Sequence, residues 1–410
     1  MYEKTKPVPP TKGSIHMETK LVNEINEKLI GNFDEVVSWR RYMHENPELS
    51  FKETKTAQYI KEKLIDFGLD VKTNIGGHGL IGILRGDQPG KTIALRADFD
   101  ALPIQDEKEV PYKSKNSGVM HACGHDGHTA ALLGTAQVLS QYRQQMKGNV
   151  MFIFQPAEET PPGGAKFMIE EGILDGVDYV FGAHLDSQTP LGKISVGEGH
   201  QMAAVDKFAI HLQGKGGHGA RPQEAIDSIV IGSEIVSALQ KIVSRGVNPL
   251  QSAVVTVGIF QSGTAFNVIS DKATIEGTVR TFDSDVRKKV ENQIKSIVDG
   301  ISSAFGATYS IDYLNGYPAL YNHHEETSLV RKLFVQEFSE GNVLELTPSM
   351  GAEDFAYFLR EKPGTYFQVG SQNETSHTAY PHHHPKFDID ERALLNVEKA
   401  FVKIVEHYLF

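Results

Sequence analysis

The chain has 410 residues, 40% of them apolar and 23% charged, enough to bury a large core in two domains or one elaborated one. Acidic residues outnumber basic ones by 52 to 41, a formal net charge of −11, so the overall field repels nucleic acid and anionic lipid and disfavours a phosphate-tracking function. No run approaches the roughly eighteen apolar residues of a membrane span, and a single cysteine beside histidines suits a reducing, cytoplasmic setting.

Residues 1–20 carry several lysines and prolines and no signal-peptide core, and are expected to form a disordered or vector-derived tail. Helical periodicity runs from Leu21 past Trp39 and should stop before Pro47, which biases Asn46 away from helical geometry. A second helix is predicted over 54–67, with Ala57, Ile60, Leu64 and Phe67 along one face and Gly68 as C-terminal cap. Short β-branched runs follow at 80–84 and 92–97. Next come a helix over 128–142, a strand over 149–155, a helix over 164–171, and a strand over 179–183 that delivers His184. This alternation predicts an α/β fold with a mostly parallel sheet covered on both faces, whose functional residues gather where strands end. Asp98, Glu158, Glu159 and His184 occupy such ends.

The pattern changes near residues 197–199. Predicted strands at 205–213, 253–260, 272–280 and 308–313, with helices over 222–242 and 283–305, give the order β-α-β-β-α-β of a ferredoxin-like α+β unit. The α/β pattern then resumes with helices near 325–339 and 353–360, a strand over 365–369 and a helix over 390–408. The expected division is an α/β domain at 21–198 and 315–410, with an inserted domain at 199–314.

Residues 120–128, Met-His-Ala-Cys-Gly-His-Asp-Gly-His, bring three histidines, an aspartate and the only cysteine together. Gly124 and Gly127 disfavour a helix, and an extended chain would put His121, Cys123 and His125 on one face, where a thiolate and an imidazole meet one ion. The plain alternative is a Gly-rich loop with surface histidines. Glu158 and Glu159, adjacent on an extended segment, would point to opposite sides, so that one binds metal while the other faces substrate. Alone such a pair is a solvated turn; the company of Cys123, His125 and His184 argues otherwise. Asp98-x-Asp100 is either a partner that orients a ligating imidazole, a direct cation ligand, or a turn cap before Pro103. His382, His383 and His384 do not by themselves single out a ligand, and His323 and His324 read as solvated.

Mixed sulfur, nitrogen and oxygen donors suit zinc, nickel, cobalt or manganese better than calcium or magnesium. One cysteine rules out a structural zinc finger. A thiol-protease reading of Cys123 leaves the glutamate pair and the late histidines without work. No Gly-x-Ser-x-Gly elbow is present.

Taken together the motifs resemble a known family. They include Arg41-x-x-His44-x-x-Pro47-Glu48-Leu49, Asp98-x-Asp100-Ala101-Leu102-Pro103, His121-Ala122-Cys123-Gly124-His125-Asp126-Gly127-His128 and Gln155-Pro156-Ala157-Glu158-Glu159. Gly182-Ala183-His184, Gly216-Gly217-His218-Gly219, Phe266-Asn267-Val268-Ile269, Gly277-Thr278-Val279-Arg280, Met350-Gly351-Ala352-Glu353-Asp354 and His383-His384-Pro385 follow in order. The family is that of the metal-dependent amidohydrolases containing aminoacylase and carboxypeptidase G, and the likeness to its hippurate and indole-acetyl-amino-acid hydrolase branch is close. The resemblance implies two divalent ions, zinc, manganese, nickel or cobalt, held by Cys123, His125, Glu159, His184 and His383, with Cys123 as the bridge. Glu158 is then the general base that takes a proton from the attacking water and passes it to the leaving amine.

It further implies a homodimer formed through the inserted domain, His218 stabilising the oxyanion, Asn267 and Arg280 holding a substrate carboxylate, and Gly351 at the substrate site. One departure is that the carboxypeptidase branch has His-x-Asp where this chain has Asp98-x-Asp100, which puts ligation by Asp98 in doubt. The expected activity is hydrolysis of N-acyl-L-amino acids. A dipeptidase or carboxypeptidase on the same scaffold, or a silent metal-dependent binding protein, is the alternative.

Overall fold

Apolar, β-branched segments from both ends of the chain pair into one large sheet, which a computed structural model shows for residues 12–373 and 379–410. Of the expected tail, residues 1–11 lie outside the described residues, and helix α1 (Lys12–Glu45) begins beyond them. Helix α2 (Thr54–Asp66), strands β1 (Asp70–Ile75), β2 (Gly79–Arg85) and β3 (Gln88–Asp98), and helix α3 (His125–Leu139) follow. Then come β4 (Lys147–Gln155), α4 (Gly164–Glu170), β5 (Tyr179–Pro190) and β6 (Ile194–Val196). The inserted segment runs β7 (Ala204–Gln213), α5 (Ser228–Lys241), β8 (Ala253–Ser262), β9 (Lys272–Thr281), α6 (Ser284–Phe305) and β10 (Thr308–Asn315). After it come α7 (His324–Phe338), β11 (Val343–Glu345), β12 (Gly364–Gln372) and α8 (Arg392–Leu409).

The large sheet has the order β1-β2-β4-β3-β5-β12-β6-β11. Its middle is parallel, β4 with β3, β3 with β5 and β5 with β12, while β1/β2, β2/β4 and β6/β12 are antiparallel. The sheet is therefore mostly parallel, as its long apolar strands require. Strand β3 is buried from Ile93 to Asp98 because neighbours flank it on both sides and helices pack on its faces. Helices α1, α3 and α8 pack together over it, with Val36, Leu132, Leu133, Phe401 and Ile404 in one core.

The chain divides into two units. The first extends to Glu198 and takes in Asn322–Leu346 and Phe358–Phe410; the second is Gly199–Tyr321 with Thr347–Tyr357. The second unit holds a four-stranded antiparallel sheet of order β8-β9-β7-β10, the ferredoxin-like arrangement. Asp227 and Asp283 cap α5 and α6 by accepting backbone amides. Both helices press Ile231, Ile235, Leu239, Val290, Ile294 and Val298 against Phe208, Ile210 and Ile275. The sequence placed 315–321 and 347–357 with the catalytic segments. They group with the second unit because the Gly316 amide donates to Val205 and the Ala203 amide to Gly351. No helix among the described residues is long and apolar enough to cross a membrane.

Two local expectations are corrected. Residues 125–128 are not extended: α3 starts at His125, after Gly124 at φ +92° has turned the chain. Gly127 lies inside the helix and leaves room for Leu185, since a Cβ there would meet Leu185 Cδ1 at 2.5 Å. Strand β5 does not stop before His184 but continues to Pro190, since β12 pairs along it past Arg96↔Gly182, where its pairing with β3 stops.

Candidate metal centre

The first unit gathers polar residues where β3 and β4 end together, at Asp98↔Gln155, and where β5 runs on without β3 beside it. An open edge of this kind in a parallel sheet is a crevice for ligands. Five segments supply donors: the loop before α3, its first turn, the turn after β4, the middle of β5, and the loop before α8.

Hydrogen-bond partners decide what each histidine can do. His184 Nδ1 lies 2.8 Å from the Leu185 carbonyl, so it donates there and leaves the Nε2 lone pair 3.5 Å from Cys123 Sγ. His125 Nδ1 faces the Asp100 carbonyl at 3.0 Å and the Asp100 carboxylate at 3.2 Å, so its Nε2 is the atom turned to the crevice. His128 is committed elsewhere. Its Nδ1 donates to Asp98 at 2.6 Å and its Nε2 accepts the Leu185 amide at 2.9 Å, leaving nothing for a ligand. Asp98 is equally occupied, since its other oxygen takes Arg96 at 2.6 Å. Burial opposes the Asp98 charge, but Arg96, His125 and His128 hold the carboxyl well below the usual range.

His383 stands at φ +66° with its amide on the Ala122 carbonyl, and its Nε2 is 3.4 Å from Glu159 Oε1. Its neighbours go elsewhere: His382 faces Asp186 at 3.8 Å, and His384 stacks on Tyr380 and accepts the Lys386 amide. The Glu158 and Glu159 amides each donate to one oxygen of Asp100 at 3.0 Å, so a single carboxylate fixes both His125 and the glutamate turn.

Two groups of donors result, Cys123–His125–His184 and Cys123–Glu159–His383, each with its atoms within 4.8 Å of one another, and they share the thiol. Glu158 lies in a third group with His125 and Glu159. Among the described residues His125 Nε2 and Glu159 Oε1 are buried and have no hydrogen-bond partner, the arrangement expected when a cation is to complete them. The charge balance agrees. Burial opposes a cationic His125, yet Asp98, Asp100 and Glu159 push it up to about 10, so the surrounding carboxylates favour positive charge at this position. Burial, then Glu159, Glu158 and Asp98, push the Cys123 thiol well above its usual value, so a thiolate there needs a cation beside it. One sulfur with imidazoles and a carboxylate fits a borderline divalent metal.

The remaining predicted residues belong to the second unit. His218 and Asn267 come together, Val268 pairing with His218 and the Gly219 amide donating 2.8 Å to the Asn267 carbonyl. Both are exposed; Arg280 is half-buried on β9, and Gly351 is exposed. His121 does not join the donors: it is buried, 6.3 Å from the His44 ring, and burial pushes it down to about 4.

Sequence reasoning missed Arg40. It is wholly buried and ion-pairs with Asp126 at 2.8 Å, Asp388 at 2.8 Å and Glu391 at 3.3 Å, tying the helix that starts at His125 to the loop that carries His383. Along the sequence Arg40-Arg41 reads as a surface pair, and its only signal is the Trp39–Met43 apolar face on either side.

A sequence profile of peptidase family M20/M25/M40 matches residues 94–407. The chain is 51% identical over 380 residues to YhaA of Bacillus subtilis, a protein named as an amidohydrolase, covering 93% of this chain and 96% of that one. It is 50% identical over 291 residues to the N-acyl-L-amino acid amidohydrolase of Geobacillus stearothermophilus, covering 71% of this chain and 79% of that one. The crystal structure of the Bacillus subtilis YXEP protein, described as a dinuclear metal binding peptidase, matches with a TM-score of 0.79 and 36% identity over 92% of this chain and 98% of that one. With this donor geometry and these likenesses, the chain belongs to peptidase family M20/M25/M40 and is a metal-dependent hydrolase.

Proposed function

We propose that the protein hydrolyses the amide bond of N-acyl-L-amino acids, releasing a carboxylic acid and a free amino acid. The observation that carries the site is that His125 Nε2 and Glu159 Oε1, both buried and without a hydrogen bond among the described residues, lie in donor groups that share Cys123. The substrate class is supported by the likeness to an N-acyl-L-amino acid amidohydrolase. Two divalent ions, zinc, manganese, nickel or cobalt, would be held by Cys123, His125, Glu159, His184 and His383, with Cys123 shared. Bound there, they supply Lewis-acid polarisation of the scissile carbonyl. Glu158, 6% exposed and not needed as a ligand, takes the proton of the attacking water and returns it to the leaving amine. Asp100 keeps the Glu158–Glu159 turn and the His125 ring in one fixed relation.

His218 is assigned the oxyanion, Asn267 and Arg280 the substrate carboxylate, and Gly351 a place at the substrate. The protein acts as a cytoplasmic homodimer through the second unit. In support, β8 pairs on one side only among the described residues and exposes Ile259 and Phe260, an edge that a second copy would cover. Sedimentation equilibrium tests this, and a monomer at micromolar concentration would contradict it.

A panel of N-acetyl and N-benzoyl amino acids against dipeptides tests the substrate class. The proposal predicts kcat/KM at least about tenfold higher for the N-acyl compounds, a difference of about 1.4 kcal/mol in transition-state binding. The reverse ranking makes the enzyme a dipeptidase.

A further inference from the structure

Three consecutive amides hold the turn after β4, and Asp100 accounts for two of them. The third, Ala157 N–H, donates at 2.8 Å to Glu53 Oε1, from a segment 104 residues earlier. Ala157 is left-handed, φ +54°, without being glycine, a conformation that persists only where its surroundings impose it. Its carbonyl is held too, accepting the Gly164 amide at 3.1 Å.

Glu53 occupies the N-cap position of α2 but its side chain does not cap the helix. That task falls to Glu48, whose Oε2 accepts the amides of Lys55 at 2.9 Å and Thr56 at 2.8 Å and the Thr56 hydroxyl at 2.9 Å. Glu53 is therefore free to reach inward. It is fully buried, and its Oε2 has no hydrogen-bond partner. Burial and the nearby Asp100 carboxylate push it up to about 7. A carboxyl so placed works against folding. Neither helix capping nor an ion pair explains it; the backbone groups it accepts from are its own, Ala157 and Phe51, and of these Ala157 alone adjoins the glutamate pair.

We propose that Glu53 is a positioning residue for hydrolysis, holding Ala157 in its left-handed turn and so setting the direction in which Glu158 leaves β4. This rests on Glu158 being the general base. A turn displaced by about 1 Å is enough to lower turnover on the order of a hundredfold without touching the substrate.

Glu53→Ala, Glu53→Gln and Glu53→Asp, with Glu158→Gln as reference, test the proposal by kcat, KM and metal content of the purified protein. Glu53→Ala should lose kcat about 10- to 100-fold with KM within about threefold and metal content unchanged. Glu53→Gln, which keeps an acceptor for the Ala157 amide, should recover kcat to within about threefold of wild type. If Glu53→Ala does not fold, Glu53→Asp decides: its oxygen is withdrawn by one methylene, and kcat should fall about tenfold or more at unchanged KM. Wild-type kcat in the alanine or aspartate variant, or a loss confined to KM or metal content, overturns the proposal. If Glu158→Gln turns over normally, the general-base reading fails first; if it is inactive while the Glu53 variants are normal, only the positioning role fails.

Discussion

His125, His128 and His184 carry the same side chain, and their hydrogen-bond partners give them different work. Two keep a lone pair for the crevice because their Nδ1 atoms face acceptors; the third spends both nitrogens on Asp98 and the Leu185 amide. Asp98 is thus a structural carboxylate, balancing Arg96 and His128 at 2.6 Å each in a fully buried setting. Removing one partner of such a pair leaves an uncompensated buried charge. Asp98→Asn should lower stability by about 3–5 kcal/mol, read as a lower urea midpoint at unchanged m-value. A variant as stable as wild type that fails to bind metal would instead make Asp98 a ligand.

At the scale of elements, α1, α3 and α8 meet at Gly134, where a Cβ would lie 1.9 Å from Glu398 Oε1 and 2.7 Å from Val36 Cγ2. The missing side chain makes room for Glu398, a fully buried carboxyl with both oxygens unpartnered. Burial raises its pKa well above the ordinary glutamate value. The sign follows from linkage: a raised folded-state pKa favours the native state at pH below the unfolded value near 4.5, and that advantage is lost as pH climbs towards the folded value. Glu398→Met, similar in length and unable to ionise, should raise Tm at pH 8 by roughly 2–4 °C and do less at pH 5. Equal shifts at both pH values would show that Glu398 does not titrate in this range.

Across the whole molecule, what the sequence revealed and what it hid divide along physical lines. The β-α-β-β-α-β order of the second unit was legible because alternating strands and amphipathic helices are local patterns, and Asp227 and Asp283 mark helix starts. The donors were legible as residue types grouped in short motifs, although His184 lies within β5 and not at its end. The start of α3 was not, because Gly127 serves there to let Leu185 of β5 and Ile389 approach the helix, contacts that nothing adjacent in the chain announces. Arg40 and Glu53 were hidden for the same reason: their partners lie as far as 351 and 104 residues away, and nothing adjacent in the chain announces them. The central claim is that the donors around Cys123 hold the ions on which hydrolysis depends. Its most direct test is to strip the protein with chelator and titrate manganese, zinc, nickel or cobalt back while following release of free amino acid from an N-acetyl amino acid. The account predicts that activity is lost on chelation and returns in full at about two equivalents per subunit for wild type, but not for Cys123→Ala. Hydrolysis that survives chelation, or is restored equally in Cys123→Ala, would contradict it.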